Sequence, residues 1–392
     1  MIAIRAGRVL TPLQSIAPAI VLVQGGTVVA VGHPDEIPLP EGTTVRDYPD
    51  KIVAPGFVDT HTHGRDNAYF GEDRKSTQKL SRTIAGTGVT SFLPTLASLL
   101  PMHYTLEMML ERIANVRQAM AEDGRGAEIL GVHLEGPFLS SDDAVRGAQR
   151  IANLRKPSVR ELQQMDEAAG GTIRKMSIAP ELDGALEVIR EMARRGIVPC
   201  AGHSAATYKQ VLEAARAGLC CATHTFNGMV PFHHRKPGLL GAVLTCDEIQ
   251  AELIADGQHV SAPAMQLLLR CKGVEGVHLI TDNTLWAGTA NGTYQDGERT
   301  IVKEEDRAYV VGGTLVGSVA AMNACVANMV RLAGCSLGEA VRMASLNPAA
   351  VIGADGRKGS LAPGKDADLV VVDDQVHVYL TMVKGREVYR AG

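Results

Sequence analysis

Residues 55–63 read Pro-Gly-Phe-Val-Asp-Thr-His-Thr-His. A Pro-Gly break opens the stretch, and it closes on His61 and His63. In a strand, residues two apart share one face, so both imidazoles can reach a single point. The texture of the chain changes here. Before it, Ile2 to Arg8, Ala19 to Gln24, Thr27 to Gly32 and Thr44 to Tyr48 read as short strands separated by Gly-Gly and Gly-His-Pro breaks, as in a β-meander. After it, strand-like and helix-like segments alternate. Strands are expected near 56–63, 90–96, 129–135, 175–180, 198–203, 222–226, 251–255 and 277–282. Helical periodicity lies between most of them, for example over 106–121, 182–195, 208–217 and 264–271. Eight strands with helical connections predict a (β/α)8 TIM-like barrel in an α/β chain. Two more helices are expected over 318–333 and 337–350. The last segment returns to short strands and turns, and is expected to rejoin the N-terminal strands, since termini often lie close together. The expected division is a small β-sandwich domain from 1–54 plus 359–392, and the barrel from 55–358. No internal repeat or low-complexity tract interrupts this plan.

Composition narrows the function classes. The 392 residues carry 39 Lys plus Arg against 43 Asp plus Glu, a formal net charge of −4. Binders of nucleic acid or anionic membranes usually show a basic surplus, so neither partner is expected. Hydrophobic types at 45% rule out disorder, while 41 Gly with only 4% aromatics suit an α/β protein rich in tight turns. No apolar run approaches the roughly 18 residues of a membrane helix, and the N-terminus lacks a charged region leading into an apolar one. Seven cysteines (200, 220, 221, 246, 271, 325 and 335) form no CxxC pair and are odd in number. Free buried thiols and a reducing cytoplasm are the expectation. The Asn291-Gly292-Thr293 triplet, without a secretion signal, is read as chance.

The chemistry-bearing residues fall at predicted strand ends. His61 and His63 close the first strand, Glu135 the third, His203 the fifth, His224 the sixth and Asp282 the eighth. A barrel gathers the carboxyl ends of its strands on one face, where such folds place active sites. Taken singly, each residue has an ordinary explanation: a hydrogen-bonded core His, a turn-capping Glu, a helix-capping Asp. Six metal-suited side chains at the strand ends of one barrel instead point to a metal site. Imidazole and carboxylate together suit Zn²⁺, with Fe²⁺ or Mn²⁺ as lesser fits.

Residues 55–63, together with Pro-Gly-Lys-Asp-Ala-Asp-Leu-Val at 363–370, resemble the amidohydrolase superfamily. Within it, His-Leu-Glu-Gly-Pro-Phe (133–138), Gly-His-Ser (202–204), Thr-His-Thr-Phe-Asn-Gly-Met (223–229), Ala-Asp-Gly-Gln-His-Val (255–260) and Ile-Thr-Asp (280–282) are similar to the N-acetylglucosamine-6-phosphate deacetylase family. The similarity spans essentially the whole chain, and His-Leu-Glu-Gly-Pro is its most specific part. The resemblance implies that Glu135, His203 and His224 hold the metal all members keep. It implies that His61 and His63 hold a second metal found in some members, giving one or two ions per chain. Glu135 matches a Glu that stands where most binuclear amidohydrolases use a carbamylated Lys. Asp282 matches the catalytic acid/base, also beside the metal. The implied reaction is hydrolysis of the N-acetyl group to acetate and the free amino sugar phosphate. A metal lowers the pKa of water towards about 7, and Asp282 would pass the proton to the leaving amine.

Substrate contacts carry over by the same resemblance: Ala148, Gln149, Asn227, Gly228, Arg235, His259, Leu315, Val316 and Gly317. Arg235 matches an Arg that holds the sugar phosphate, often from the neighbouring subunit, so a homodimer is implied. Its planar fork suits two phosphate oxygens; without the resemblance, 233–236 reads as a solvated basic loop. Two departures stand out. The family usually has Lys-Gly-Ala-His where this chain has Arg146-Gly147-Ala148-Gln149, and that His contacts the acetyl carbonyl. Small residues are usual where Asn283-Thr284-Leu285-Trp286 stands. Trp286 either stacks on a pyranose or packs inside. Alternative expectations are another amidohydrolase reaction (a related sugar such as N-acetylgalactosamine 6-phosphate, a cyclic amidase, a deaminase or an N-acyl hydrolase) and a non-catalytic scaffold. The intact ligand set opposes the scaffold.

Overall fold

The computed structural model describes residues 1–12, 14–98, 104–122 and 124–392. Among these, eight parallel strands follow one another around the barrel: β1 (Phe57–Thr62), β2 (Val89–Ala97), β3 (Val132–Glu135), β4 (Ile173–Ile178), β5 (Val198–Ala201), β6 (Cys221–Ala222), β7 (Gln250–Ile254) and β8 (Val277–Ile280). Each pairs with the next. The first and last join beyond β8, where Asp282 N–H donates to the His61 carbonyl at 2.8 Å and His63 N–H to the Asn283 carbonyl at 2.7 Å. The expected (β/α)8 barrel is therefore the observed one.

Alternation along the strands sorts the two faces. Val132 and Leu134 of β3, Met176 and Ile178 of β4, and Leu253 of β7 join the main apolar cluster with the surrounding helices. Their neighbours His133, Glu135, Lys175, Ser177 and Glu252 are buried polar residues. Parallel strands covered by helices are usually apolar on both faces, so this polar set is a local exception. Hydrogen bonds satisfy much of it: His133 meets Thr95 Oγ1 and Ser177 Oγ at 3.1 Å each, and Ser177 meets Thr223 at 2.8 Å.

Helix starts follow capping chemistry. Asp73, Thr105 and Ser158 accept from backbone N–H groups three residues on, and Thr207 and Ser336 form capping boxes with Gln210 and Glu339. Three expectations need correction. The helix expected over 318–333 begins only at Met322, and Met329–Ala333 forms a π turn ended by left-handed Gly334. The helix expected over 337–350 breaks at Ser345 into Leu337–Ala344 and Leu346–Val351, because Pro348 has no N–H to offer the preceding turn. The sixth strand stops at Ala222, since His224 and Phe226 adopt positive φ. Between β8 and Met322 the chain also inserts a three-stranded antiparallel sheet, Gly292–Asp296, Arg299–Lys303 and Ala308–Val310, that no sequence period announced.

The two ends of the chain share one sheet. Its order is Arg386–Arg390, Val378–Val383, Leu369–Val372, Thr44–Pro55, Ile2–Leu10, Ala19–Gln24 and Thr27–Gly32, with Ser15–Ile16 beside Ile2–Leu10. Val21 and Val28 share a cluster with Leu380 and Met382 from the far end of that order. The sheet therefore curls around its own small core.

Candidate metal centre and substrate pocket

The strand ends bring six side chains to one place. His61 and His63 leave β1 on the same face, with their Nε2 atoms 3.2 Å apart. Glu135 ends β3. His203, His224 and Asp282 follow β5, β6 and β8 with φ of 46°, 31° and 48°. These left-handed conformations are costly for residues other than Gly, and cluster at functional sites. Here they turn side chains out of strand alternation towards the barrel axis. Glu135 Oε1 lies 3.2 Å from His203 Nε2 and 3.0 Å from His224 Nε2. Its Oε2 lies 3.5 Å from His63 Nε2, and Oε1 lies 3.6 Å from His61 Nε2. Asp282 Oδ1 completes the ring at 3.1 Å from His63 and 3.3 Å from His61.

Tautomers show what this ring is built to hold. His203 Nδ1 faces the Val145 carbonyl at 2.9 Å, and His224 Nδ1 the Asn227 carbonyl at 3.1 Å. A carbonyl only accepts, so each Nδ1 carries the proton. Likewise His61 Nδ1 donates to the Glu252 carboxylate at 3.1 Å. In the neutral rings, three Nε2 lone pairs therefore converge on one another and on Glu135. His203 Nε2 and His224 Nε2 are only 3.1 Å apart. Facing acceptors need a cation between them, and the ligand atoms fall into two groups, His61/His63/Glu135 and Glu135/His203/His224. The residues fit a divalent metal pair with Glu135 common to both halves.

Electrostatics agree. Burial pushes Glu135 up, but the adjacent His203 and His224 rings hold it well below the carboxylate range. Burial lowers His224, yet Glu135 lifts it to about 9, so this spot attracts positive charge. Burial also pushes Asp282 up, and His61 and His63 outweigh that to keep it low.

A cavity of about 320 Å³ opens over the ring. His63, Glu135, His203, His224 and Asp282 form its metal-facing wall; Ala148, Gln149, Asn227, Gly228, His259, Leu315 and Gly317 also line it. Gly228 is held at φ +60°, where a Cβ would come within 2.8 Å of His203 Nδ1.

A model of the amidohydrolase family matches residues 52–388. The chain belongs to the amidohydrolase family. Over 389 residues it is 36% identical to the N-acetylgalactosamine-6-phosphate deacetylase of Escherichia coli O157:H7, covering 98% of both chains. It is 36% identical to human N-acetylglucosamine-6-phosphate deacetylase, covering 88% of this chain and 85% of that one. A Mycobacterium smegmatis N-acetyl-D-glucosamine-6-phosphate deacetylase variant, solved with N-acetyl-D-glucosamine-6-phosphate, matches with a TM-score of 0.89 and 32% identity over 99% of each chain. The amidohydrolase family is metal-dependent, and the His and Glu groups of this chain are placed where they could hold a metal.

Two expected contacts of this amidohydrolase lie elsewhere. Val316 is buried in an apolar cluster with Trp286, Leu285, Ile301 and Ala308. Arg235 is on an exposed loop, where its Nη1 meets His234 Nε2 at 2.8 Å. Trp286 packs at 5.0 Å on Tyr294 rather than lining the cavity. His259 lines the cavity with Nδ1 fixed on Asp256 at 2.6 Å.

Sequence reading missed Glu252 and Lys175. Both are fully buried inside the barrel and form an ion pair. Glu252 Oε2 also accepts the His224 backbone N–H at 3.1 Å, so one carboxylate touches both halves of the metal centre. The available signal was a charged residue inside an otherwise apolar strand, Ala-Glu-Leu-Ile.

Proposed function

We propose that this amidohydrolase hydrolyses the acetamido bond of an N-acetylhexosamine 6-phosphate, with N-acetylglucosamine 6-phosphate as the leading substrate, giving acetate and glucosamine 6-phosphate. The observation that carries this reading is Glu135 shared by two sets of histidines, with Asp282 3.1 Å from His63 at the floor of an open pocket. The deacetylase names of the full-length relatives support the substrate class.

His61, His63, Glu135, His203 and His224 would hold a divalent ion, Zn²⁺ by these imidazole and carboxylate donors, which would supply Lewis-acid charge at the acyl carbonyl and ease deprotonation of water. The protein's own groups do the rest. Asp282 orients the attacking water and takes its proton, then delivers that proton to the amide nitrogen as the C–N bond breaks, because an unprotonated amine leaves poorly. His61, His203 and His224 stay oriented by Glu252 and the carbonyls of Val145 and Asn227. Asn227, Gly228 and His259, with Ala148, Leu315 and Gly317, surround the sugar phosphate. Arg235 lies outside this chain's pocket, and is assigned to the phosphate in the neighbouring subunit of a homodimer. Residues 1–54 and 359–392 are assigned to one domain and 55–358 to the other. Seven cysteines without a disulfide suit the cytoplasm.

The test is acetate release by zinc-loaded protein from N-acetylglucosamine 6-phosphate, N-acetylgalactosamine 6-phosphate and their unphosphorylated forms. Release from the glucosamine phosphate is expected; intact phosphorylated substrates would refute the reading.

A further inference from the structure

Asp282 stands on a strained backbone. Its φ of 48° is a left-handed conformation, which a residue other than Gly keeps only where surrounding contacts over-determine it. Those contacts come from the seam of the barrel. Beyond β8 the pairing with β1 passes through an isolated bridge between Thr62 and Asn283, and a side chain reinforces it. Asp59 Oδ1 accepts the backbone N–H groups of His61 and Thr281, each at 3.3 Å, and Oδ2 accepts the Thr281 hydroxyl at 2.6 Å. That hydroxyl in turn accepts the Asn283 N–H at 3.3 Å. One hydroxyl therefore ties the residues on both sides of Asp282 to a carboxylate on the neighbouring strand. Asp59, Thr281 and Asn283 are buried, and neither Asp59 nor Thr281 is among the residues lining the cavity.

The other two left-handed strand ends of the ring are held in the same manner. After His203, Glu181 accepts the Ser204 hydroxyl and the Ala205 N–H at 2.6 Å each. At His224, Glu252 accepts the backbone N–H at 3.1 Å. Three times a carboxylate distant in sequence fixes the backbone at a turned strand end, and each time the turned residue belongs to the ring.

Resting on the deacetylase reading, we propose that Asp59 and Thr281 are positioning residues for the acid/base: their hydrogen bonds hold the Asp282 turn, and with it the reach of the Asp282 carboxylate. A proton carrier works only within hydrogen-bond reach of the atoms it serves, and a displacement of about 1 Å can cost roughly 100-fold in rate. Without the Thr281 hydroxyl, the Asn283 N–H and Asp59 Oδ2 both lose a partner, and the strained turn is free to relax. Both residues act through the backbone, away from the reacting atoms.

The experiment measures kcat and KM for acetate release by wild type, Thr281→Val, Thr281→Ser and Asp59→Asn, with metal content and a thermal melt on each sample. Thr281→Val keeps the side-chain shape without the hydroxyl. It is expected to lower kcat about 10- to 100-fold, with KM and metal content close to wild type, as for a contact that matters only in the transition state. Thr281→Ser restores the hydroxyl and should recover most of the loss. Asp59→Asn replaces one acceptor by a donor and should lower kcat by the same order; it carries the test if Thr281→Val does not fold. A lower melting temperature with wild-type kcat would overturn the proposal, leaving the pair as a staple of the barrel. Activity falling in step with metal content would overturn it too, as would a Thr281→Ser no better than Thr281→Val. A wild type that leaves the phosphorylated acetamido sugars intact would instead refute the deacetylase reading, and this proposal with it.

Discussion

His61 Nδ1 lies 3.1 Å from Glu252 Oε2, and the other oxygen of that carboxylate is paired with Lys175. An imidazole proposed to hold metal is thus oriented by a buried ion pair in the barrel interior. Partners of this kind are worth about 10- to 100-fold in metal affinity. Glu252→Gln should weaken metal retention by that order, measured by metal content against a graded chelator. It should also destabilise the fold by about 3–5 kcal/mol, because Lys175 is left charged and buried. Adding Lys175→Met should restore much of the stability and none of the affinity. Recovery of both together would show that Glu252 acts only through folding.

Asp282 is the only assigned proton carrier, and it sits beside the metal ligands without sharing Glu135's place between the two halves. Asp282→Asn should keep at least one metal and lower kcat by roughly 10²–10⁴-fold. Acetate release and metal analysis on the same sample check this. Near-normal turnover would remove Asp282 from the proton path.

Gly228 packs its bare Cα against the back of His203. At φ +60° an added Cβ would stand 2.8 Å from His203 Nδ1 and 3.1 Å from the Val145 carbonyl, the pair whose hydrogen bond sets the ring. Gly228→Ala should therefore displace His203 and lower metal content. Gly171→Ala is the control: φ is +75° there, but nothing lies within 4 Å. The control should show only the left-handed penalty, about 1 kcal/mol, with metal intact. Equal metal content in the two variants would mean that the ring tolerates the contact.

The barrel and the convergence of its His, Glu and Asp side chains were legible because both rest on local periodicity. His61 and His63 are two apart on a strand, and Glu135 closes a short apolar strand, so position in the strand fixed direction. What stayed hidden depends on contacts distant in sequence. Glu252 meets His61 across 191 residues, and neither β7 nor Lys175 carries a motif. The inserted antiparallel sheet has short strands that bury little, only Asp296 in the first and Ile301 and Lys303 in the second, and Arg299 meets the Ala148 carbonyl only across the fold. Trp286 had two readings that composition cannot separate; its packing on Tyr294 decides for the interior.

Arg235 is exposed and outside the pocket of its own chain. If it serves a neighbouring subunit, Arg235→Ala should raise KM for the phosphorylated sugar by about 10- to 100-fold, the loss of one charge-assisted contact. The unphosphorylated sugar should be unaffected. Mixing Arg235→Ala with Asp282→Asn should restore activity in mixed dimers, where one site combines an intact Arg235 with an intact Asp282. No recovery on mixing would return Arg235 to a solvated loop.

Stability in acid should depend on Glu128. Its carboxylate meets Lys358 Nζ at 2.5 Å, Arg357 Nη2 at 2.8 Å and Lys384 Nζ at 3.1 Å. Burial pushes Glu128 up, and Arg357 and Lys358 outweigh it, holding it at about 2 against an ordinary 4.5. The folded state therefore binds this proton less tightly than the unfolded chain does. Its stabilisation is present above about pH 4.5 and is lost as pH falls towards 2. Thermal melts of wild type and Glu128→Gln at pH 7, 5, 4 and 3 isolate the effect, since the other carboxylates are common to both. The variant should melt lower at pH 7, and the gap should narrow steadily below pH 5. Parallel curves would mean that Lys358, still paired with Asp366 and Asp368, does not need Glu128.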